Sequence, residues 1–576
     1  MSIHRPRSKR KGLAERFLNY SDQCSRQKIF CTAITWRLIV WLAMSLSCAI
    51  IPDHNPGNDV LQFHLEGPQF VYDQHTNARW IEWETCSLPF RNESQWSLIA
   101  KTSVSFPIFQ LQDKIYPFFL KPLTRWDAAR FLHLAYEPLS RKPSLENECK
   151  DDEDDVCLLH HFAKSEQAHA FFPLFPTMIR VTAAILTYLV PRFLLPSTCT
   201  SLMVFSAVCL NTICFSMVTM DLYAMTKDIL LLYYRMQEKY KDKTKLSLSD
   251  CETWSRRVAL LFVCNPANVF FGTAYSEALC AALLCRGCRW ALQMVLTNSV
   301  SNPNGMVPST WWTMLGATGY WWLAALTRSN STLYGGFLLL YGAGLVLRRH
   351  RGRWIWLRRS LAACYVLLLI VLVAFGSMGW HNFRGYSMHC VQFTGVRPTW
   401  CEQGPWFNLY GYVQKTYWNV GFLRYYQVKQ IPNFLLAGPI LLLSALASNT
   451  WIKTSWTLLS DSRKSVSNRT ISWIVDALQA FGGEQRPTAP LLTPGEILQG
   501  SPYLLGFYAV LAASTLLALT IAHVQISTRL ICSSCPALYW FLAGALDRRF
   551  GDAIIAYFLF YNILGVVLHP NWLPWT

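Results

Sequence analysis

The sequence predicts an all-α fold: a polytopic transmembrane helical bundle of about 8–11 spans, with loops carrying short amphipathic helices. Three observations predict it. Hydrophobic residues make up 52% of the chain and charged residues only 15%, which is membrane-protein composition. The apolar residues fall in runs of about 20, the length that crosses the hydrocarbon at 1.5 Å per residue. The basic residues behind the formal charge of +18 sit at the ends of those runs, as in RPRSKRK at 5–11 and RRHRGRWIWLRR at 348–359. There they set membrane topology, and nucleic acid is not the implied partner.

Taken in order, the basic tail 1–29 stays in the cytosol and 30–52 forms the first span. That run is too long for a signal-peptide core and has no clear cleavage site, so it reads as a retained anchor. Residues 53–169 then form a long loop on the far side. Further spans are expected near 171–195, 198–224, 258–285, 310–327, 331–347, 360–380, 433–450, 502–522, 530–545 and 552–568, making 30–576 a single membrane domain. Alternation places 381–430 and the C-terminal HPNWLPWT on the far side, with 348–359 and 451–500 in the cytosol. The prolines of RPTAPLLTPGE mark 451–500 as a linker. One basic segment, YYRMQEKYKDKTK at 233–245, breaks the alternation. Either 171–224 holds one or three crossings, or 258–327 includes a re-entrant piece.

Most of the 19 cysteines fall inside spans, where Cys behaves as a small apolar residue. Only Cys86, Cys149, Cys157, Cys390 and Cys401 lie in the far-side loops, and Cys390 can pair with Cys401 if that side is oxidising. The two C-x-x-C pairs, CRGC at 285–288 and CSSC at 532–535, flank apolar helices with no His nearby, which argues against zinc. The acidic run ENECKDDEDD at 146–155 lacks the glycine turn and ligand spacing of a calcium loop. Of two glycosylation sequons, only that at Asn92 lies on the far side; Asn468 is cytosolic. There is no internal repeat, phosphate loop or dinucleotide fingerprint, so any chemistry is done at the membrane.

Ionisable residues in or beside spans are expensive and mark sites or pathways. Five stretches carry them: RWDAAR with Trp126, Asp127 and Arg130; KSEQAHAFFPLFP with Glu166 and His169; NPANVFFGTAYSE with Asn265, Asn268 and Glu277; LTRSN with Arg328 and Asn330; and YWNVGFLRYYQVKQIPNF with Trp418, Asn419, Arg424 and Lys429. Each has a structural alternative. Thr124 and Asp127 fit a capping box. Glu166 and His169 fit a solvated loop, Asn265 and Asn268 fit caps around Pro266, and Glu277 fits a partner for a bundle arginine. Arg328 and Arg424 fit arginines reaching for lipid headgroups. Taken together, a carboxylate and several arginines near one leaflet suit a lipid phosphate, with the guanidinium holding the anion and the carboxylate taking a proton.

The blocks RWDAARFLHLA, AHAFFPLFP, NPANVFFGTAYSEAL, TRSN, QKTYWNVGFLRYYQVKQIPNFLLAGPI, HVQISTRLICSSCPALYWF and LHPNWLPWT occur in that order. With them the chain resembles the GPI mannosyltransferase 2 family from residue 120 onward, apart from an insertion at about 138–160 that contains the acidic run. The resemblance implies a GT-C glycosyltransferase of the endoplasmic-reticulum membrane with its site toward the lumen. It implies dolichyl-phosphate mannose as donor and, as acceptor, a GPI intermediate carrying one mannose, extended through an α-1,6 bond. No cofactor is implied, a cation at the acidic groups is left open, and so is a small membrane accessory subunit. A β-linked donor and an α-linked product require inversion, hence one displacement assisted by one base. Asp127 is the expected base and Glu166 the second choice. Trp126 is expected on a sugar face and Arg328 and Arg424 on the phosphate. Asn265, Glu277, Asn330, Trp418, Asn419, His523 and His569 complete the expected substrate-binding set. Another lipid-linked mannosyltransferase, a non-catalytic subunit and a lipid-sugar transporter are the rival readings; the last would show repeated halves, which are absent.

Overall fold

A computed structural model describes residues 12–52, 54, 65, 69–73, 78–82, 115–136, 165–191, 194–196, 198–239, 246–301, 308–347, 355–391, 398, 400–403, 408–459, 466–482, 492–573 and 575. The expectations for Cys86, Asn92, Cys149, Cys157 and the acidic run lie outside the described residues. The principal helices are α1 (Leu13–Gln23), α2 (Arg26–Ile50), α3 (Asp127–Tyr136), α4 (Leu174–Leu189), α5 (Cys199–Lys239), α6 (Leu248–Val263), α7 (Glu277–Ser301), α8 (Pro308–Ala325) and α9 (Tyr334–Leu347). They continue with α10 (Ile355–Tyr386), α11 (Leu409–Trp418), α12 (Ile431–Leu459), α13 (Val466–Phe481), α14 (Leu505–Thr520), α15 (Ser527–Ser534), α16 (Pro536–Ala545) and α17 (Gly551–Leu568). The exception to the all-helical expectation is an antiparallel ribbon, β1 (Gln69–Asp73) with β2 (Ala78–Glu82), in register Gln69 to Glu82.

Among the described residues seven helices are long and apolar enough to cross a membrane, or eight if one bent pair within α10 and the turn after it counts as a span. Several expected spans are broken. The run at 258–285 is interrupted at Asn265 and Pro266, and that at 530–545 begins beyond a break at Cys535, before Pro536, because proline cannot donate the helical hydrogen bond. The run at 171–195 yields only the 16-residue α4.

The short α4 bears on the basic segment at 233–245, of which residues 233–239 are described as the end of α5. The amide of Leu174 at the start of α4 bonds the carbonyl of Leu326, so α4 begins at the end of the bundle that also carries Arg328. Helix α5 starts at that same end, where Asn211 donates to the carbonyls of Thr273 and Tyr275 at 2.5 and 3.0 Å. It then runs unbroken for 41 residues, about 60 Å and twice the hydrocarbon thickness. Lys227 meets Glu252 toward the opposite end. There too the α1 amide of Ala14 bonds Asp552 at 2.6 Å, and Arg257 meets Asp547 at 3.2 Å. The described basic end of α5 therefore lies with α1, and α4, at 16 residues, is shorter than the helices long enough to cross a membrane.

A file of aromatic rings fills the middle of the bundle. Trp321 packs on Tyr334 and Phe337, Phe337 on Phe481 and Phe507, and Phe507 on Trp540, with ring centres 4.9–5.2 Å apart. In a membrane such rings stabilise the bundle through close van der Waals packing and edge-to-face contact, since lipid is as apolar as they are. The expected linker 451–500 also carries structure. Helix α12 runs on to Leu459, α13 packs on α9, and a capping box between Thr493 and Glu496 opens a further helix, Pro494–Gly500. Where α9 meets α13 the backbones touch: a Cβ on Gly344 would lie 2.2 Å from the carbonyl oxygen of Leu478. Beyond α10, Cys390 and Cys401 form a disulfide, a bond that persists in an oxidising compartment.

Candidate active site

The site is built where α3, α7, α15 and the end of α17 converge. Helix α3 begins abruptly at Asp127, because Trp126 takes a left-handed conformation (φ 58°) and sends the chain out of the preceding turn. The capping box does not form: the Thr124 hydroxyl donates to the carbonyl of Lys121, and the Asp127 amide donates to the hydroxyl of Tyr275 at 3.2 Å. The Asp127 carboxylate is thus free of capping duty.

That carboxylate sits on a layer of arginines. Arg529 donates from both terminal nitrogens to Oδ2 of Asp127 at 3.1 Å, while Arg130 lies 3.6 Å from Oδ1. Behind them Glu277 is wholly buried; its Oε1 accepts from Arg328 at 2.5 Å and lies 3.5 Å from Arg529. Arg328 also reaches the side-chain oxygen of Asn330 at 3.4 Å. The Asp127 side chain is 29% exposed, against 15% for Arg529 and none for Glu277. The network therefore has one accessible carboxylate, held from beneath. Burial alone would raise the Asp127 carboxyl, but the charges of Arg529 and Arg130 and the hydrogen bond from Arg529 outweigh it and hold the group below the usual range.

Three guanidiniums face two carboxylates here, leaving one positive charge uncompensated within the network. Buried charge without a partner is costly, so a network of this sign suits an anion. Buried polar atoms without a hydrogen-bond partner collect at these residues or beside them: the Trp126 indole nitrogen, the Ser276 hydroxyl, Oε2 of Glu277, Nδ2 of Asn330, the Thr528 hydroxyl and both ring nitrogens of His569. Most buried polar atoms in folded proteins have a partner, so these are atoms that a bound ligand or water would satisfy. His569 lies edge-on to Phe270 and Tyr275 at 5.6 Å. Trp126 packs on Trp572 at 5.3 Å.

The structure thus gathers Trp126, Asp127, Glu277, Arg328, Asn330 and His569 from the expected set. It places the others elsewhere. Asn265 donates to the carbonyl of Phe262 and accepts from the amide of Ala267, so its side chain is spent on the turn around Pro266. Glu166 accepts from the Trp400 indole at 2.5 Å and the Tyr417 hydroxyl at 2.9 Å, in a group of its own beside the disulfide. Trp418, Asn419, Arg424 and His523 form a rim: Arg424 is exposed and donates to Asn419 at 3.3 Å, and His523 packs on Tyr425 at 4.6 Å. The rim connects to the network through Phe171, which lies 6.2 Å from Trp418 and under the Arg130 guanidinium at 5.6 Å.

Arg529 and Tyr275 carry roles that sequence reasoning did not assign them. Arg529 is the only charged residue of the block HVQISTRLICSSCPALYWF, and a lone charge between two apolar runs was the available signal. Among the described residues no group of three or more His, Cys, Asp or Glu is placed to hold a metal ion. The two C-x-x-C pairs do approach one another, with Cys285, Cys532 and Cys535 lining one small void.

Membrane-length helices with a carboxylate and arginines gathered at one end of the bundle define a polytopic membrane protein with a charged, largely buried site. The family model described as Mannosyltransferase (PIG-V) matches residues 156–576, and the chain belongs to that family of membrane glycosyltransferases. It is 27% identical over 494 residues to GPI mannosyltransferase 2 of Drosophila pseudoobscura pseudoobscura, covering 79% of this chain and 87% of the relative. To GPI alpha-1,6-mannosyltransferase 2 of Homo sapiens it is 27% identical over 536 residues, covering 81% and 90%. To the Cricetulus griseus protein of that name it is 28% identical over 402 residues, covering 57% and 71%. No solved structure matches the chain.

Proposed function

We propose that the chain transfers mannose from dolichyl-phosphate mannose, in α-1,6 linkage, to the mono-mannosylated GPI intermediate at the luminal face of the endoplasmic reticulum. The observation that carries the chemistry is the accessible Asp127 carboxylate above the buried arginines. Its Oδ2 is occupied by Arg529, whereas Oδ1 has only Arg130 at 3.6 Å, so Oδ1 is the oxygen open to an arriving hydroxyl.

In one displacement the acceptor oxygen attacks the anomeric carbon and its proton passes to Oδ1 of Asp127. The bond from that carbon to the phosphate oxygen breaks, and its electron pair leaves with the phosphate. The charge count balances. The phosphodiester gains one negative charge as it becomes a monoester, and Asp127 loses one on protonation. The arginines that neutralise Asp127 in the resting site are then free to neutralise the departing phosphate, which needs no general acid. Glu277 pairs with Arg328 and Arg529 from beneath and holds them in place.

Complementation tests the reading. Cells lacking the second GPI mannosyltransferase should regain surface GPI-anchored proteins when given this chain, and the intermediate carrying one mannose should disappear. Continued accumulation of that lipid, with the protein expressed and in the membrane, would contradict it.

A further inference from the structure

Glu166 stands outside the charge network, yet its carboxylate is fixed at both ends. One oxygen accepts from the Trp400 indole at 2.5 Å and the other from the Tyr417 hydroxyl at 2.9 Å. Both donors are neutral, and no cation pairs with Glu166 among the described residues. The side chain is half-buried. A carboxylate held by two neutral donors keeps its charge and has lone pairs to spare, so it suits a cation that brings further hydrogen bonds.

Its surroundings are aromatic. The Cys390–Cys401 bond draws the turn after α10 against Trp400, and the Trp400 ring lies 6.0 Å from Tyr412 and 6.5 Å from Tyr386. Tyr417 is exposed on α11, with Trp418 6.1 Å away. Behind Trp400, His389 lies at 6.4 Å, and His169 lies 5.1 Å from His389. Both histidines are more than nine-tenths buried, and each has a ring nitrogen without a partner, Nε2 of His389 and Nδ1 of His169. Burial and the neighbouring histidines push the His169 ring down to about 3, so it is neutral and leaves the Glu166 charge uncompensated.

We propose that Glu166 and these rings form a subsite for a sugar bearing a primary ammonium, the amino sugar of the acceptor glycan, with its ammonium on the carboxylate and its ring against Tyr417 and Trp418. The proposal rests on the acceptor reading above. The glycan of a mono-mannosylated GPI intermediate places an unacetylated glucosamine next to the mannose that is extended, and its amine is protonated near neutral pH. An ammonium has three hydrogens to donate and is drawn to aromatic faces. A continuous series of contacts joins the subsite to the base. Glu166 meets Tyr417, Tyr417 lies beside Trp418, Trp418 packs 6.2 Å from Phe171, Phe171 lies under Arg130 at 5.6 Å, and Arg130 is 3.6 Å from Oδ1 of Asp127. A glycan laid along these residues rests its amino sugar on Glu166 and turns its mannose toward Oδ1. Glu166 then orients the acceptor and takes no proton.

Equilibrium binding to the full-length protein in detergent tests the subsite without turnover. The probes are mannosyl-glucosaminyl phosphatidylinositol and the same lipid with a hydroxyl in place of the amine, which removes the charge and adds no bulk. Wild type should bind the amine about tenfold more tightly, the scale of one hydrogen bond to a charged group. Glu166→Gln should bind both lipids alike, at the affinity wild type has for the hydroxyl lipid, and its KM for the donor should not change. Phosphatidylethanolamine, another source of ammonium in the membrane, should not compete. Wild type that fails to tell amine from hydroxyl overturns the proposal, and that comparison stands whether or not the variant folds. A Glu166→Gln protein that still prefers the amine overturns it as well, and competition by phosphatidylethanolamine would give the carboxylate to a lipid headgroup instead. The two readings fail separately: wild-type protein that prefers the amine yet transfers no mannose would sink the transfer reading and keep the subsite, while transfer without that preference would do the reverse.

Discussion

Arg529 donates from both terminal nitrogens to the same oxygen of Asp127, at 3.1 Å each, and reaches Glu277 at 3.5 Å. One guanidinium therefore links the accessible carboxylate to the buried one, and the two acids have different tasks. Their substitutions should fail differently.

Glu277→Gln leaves Arg328 and Arg529 short of a counter-charge at a fully buried position. Breaking a buried pair by removing one partner costs about 3–5 kcal/mol. The expected outcome is a large fall in thermal stability in detergent, with activity lost alongside. A Glu277→Gln protein as stable as wild type would show that Glu277 is not the counter-ion holding the arginines.

Arg529→Lys keeps the charge but cannot reproduce the geometry, because an ammonium is a point charge where the guanidinium is a planar fork. Turnover should fall about 10²–10³-fold, as when a preorganised donor is removed from a developing oxyanion. Arg424→Lys, on the exposed rim, should act on donor KM and leave kcat within a few-fold. Steady-state kinetics at limiting donor separates the two, and a free exchange of Lys for Arg529 would remove it from the site.

The pH dependence follows from the direction of the Asp127 shift. Arg529 and Arg130 overcome the effect of burial and hold its folded-state carboxyl below the usual range. The stabilisation from this pairing is therefore fully present above the unfolded carboxylate's value, and is lost as pH falls through the depressed folded one. The acid limb of the activity profile should lie below that of an ordinary aspartate. In Arg529→Gln, residual activity should lose its acid limb at a higher pH. An unmoved limb would mean that Asp127 is not the titrating group.

Glu166 tests whether the second carboxylate is structural or catalytic. Its oxygens accept from Trp400 and Tyr417, next to the Cys390–Cys401 bond. Glu166→Gln should loosen the group that Glu166 forms with Trp400 and Tyr417 and raise KM, leaving kcat within about tenfold, since general-base loss would cost about 10²–10⁴-fold. A loss of kcat equal to that of an Asp127 variant would make Glu166 the base.

The sequence carried the fold class through its apolar runs, and half of the site through charges that composition alone makes conspicuous. Asp127, Glu277 and Arg328 stand out because carboxylates and guanidiniums are costly beside spans. What it did not carry was pairing. Arg529 lies 402 residues from Asp127, and no local period reports a contact of that separation. Thr124 and Asp127 have the spacing of a capping box, but the left-handed turn at Trp126 and the distant Tyr275 hydroxyl override it. Helix breaks at Asn265 and before Pro536 shortened runs that hydropathy reads as whole spans, and the end of the bundle at which α5 finishes became legible only with the short α4 and the unbroken α5 in view.

The central claim is that Asp127 takes the acceptor's proton, and the most direct measurement is mannose transfer by Asp127→Asn in membranes supplied with dolichyl-phosphate mannose and the mono-mannosylated acceptor. Asparagine keeps the side chain's shape, and Asp127 has no capping duty to lose, so the variant should give up the stability of the Arg529 and Arg130 pairing but still insert and bind donor. Its turnover should fall about 10²–10⁴-fold, the range for loss of a general base. Turnover near wild type would contradict the account and leave the arginine layer a structural element under an uninvolved carboxylate.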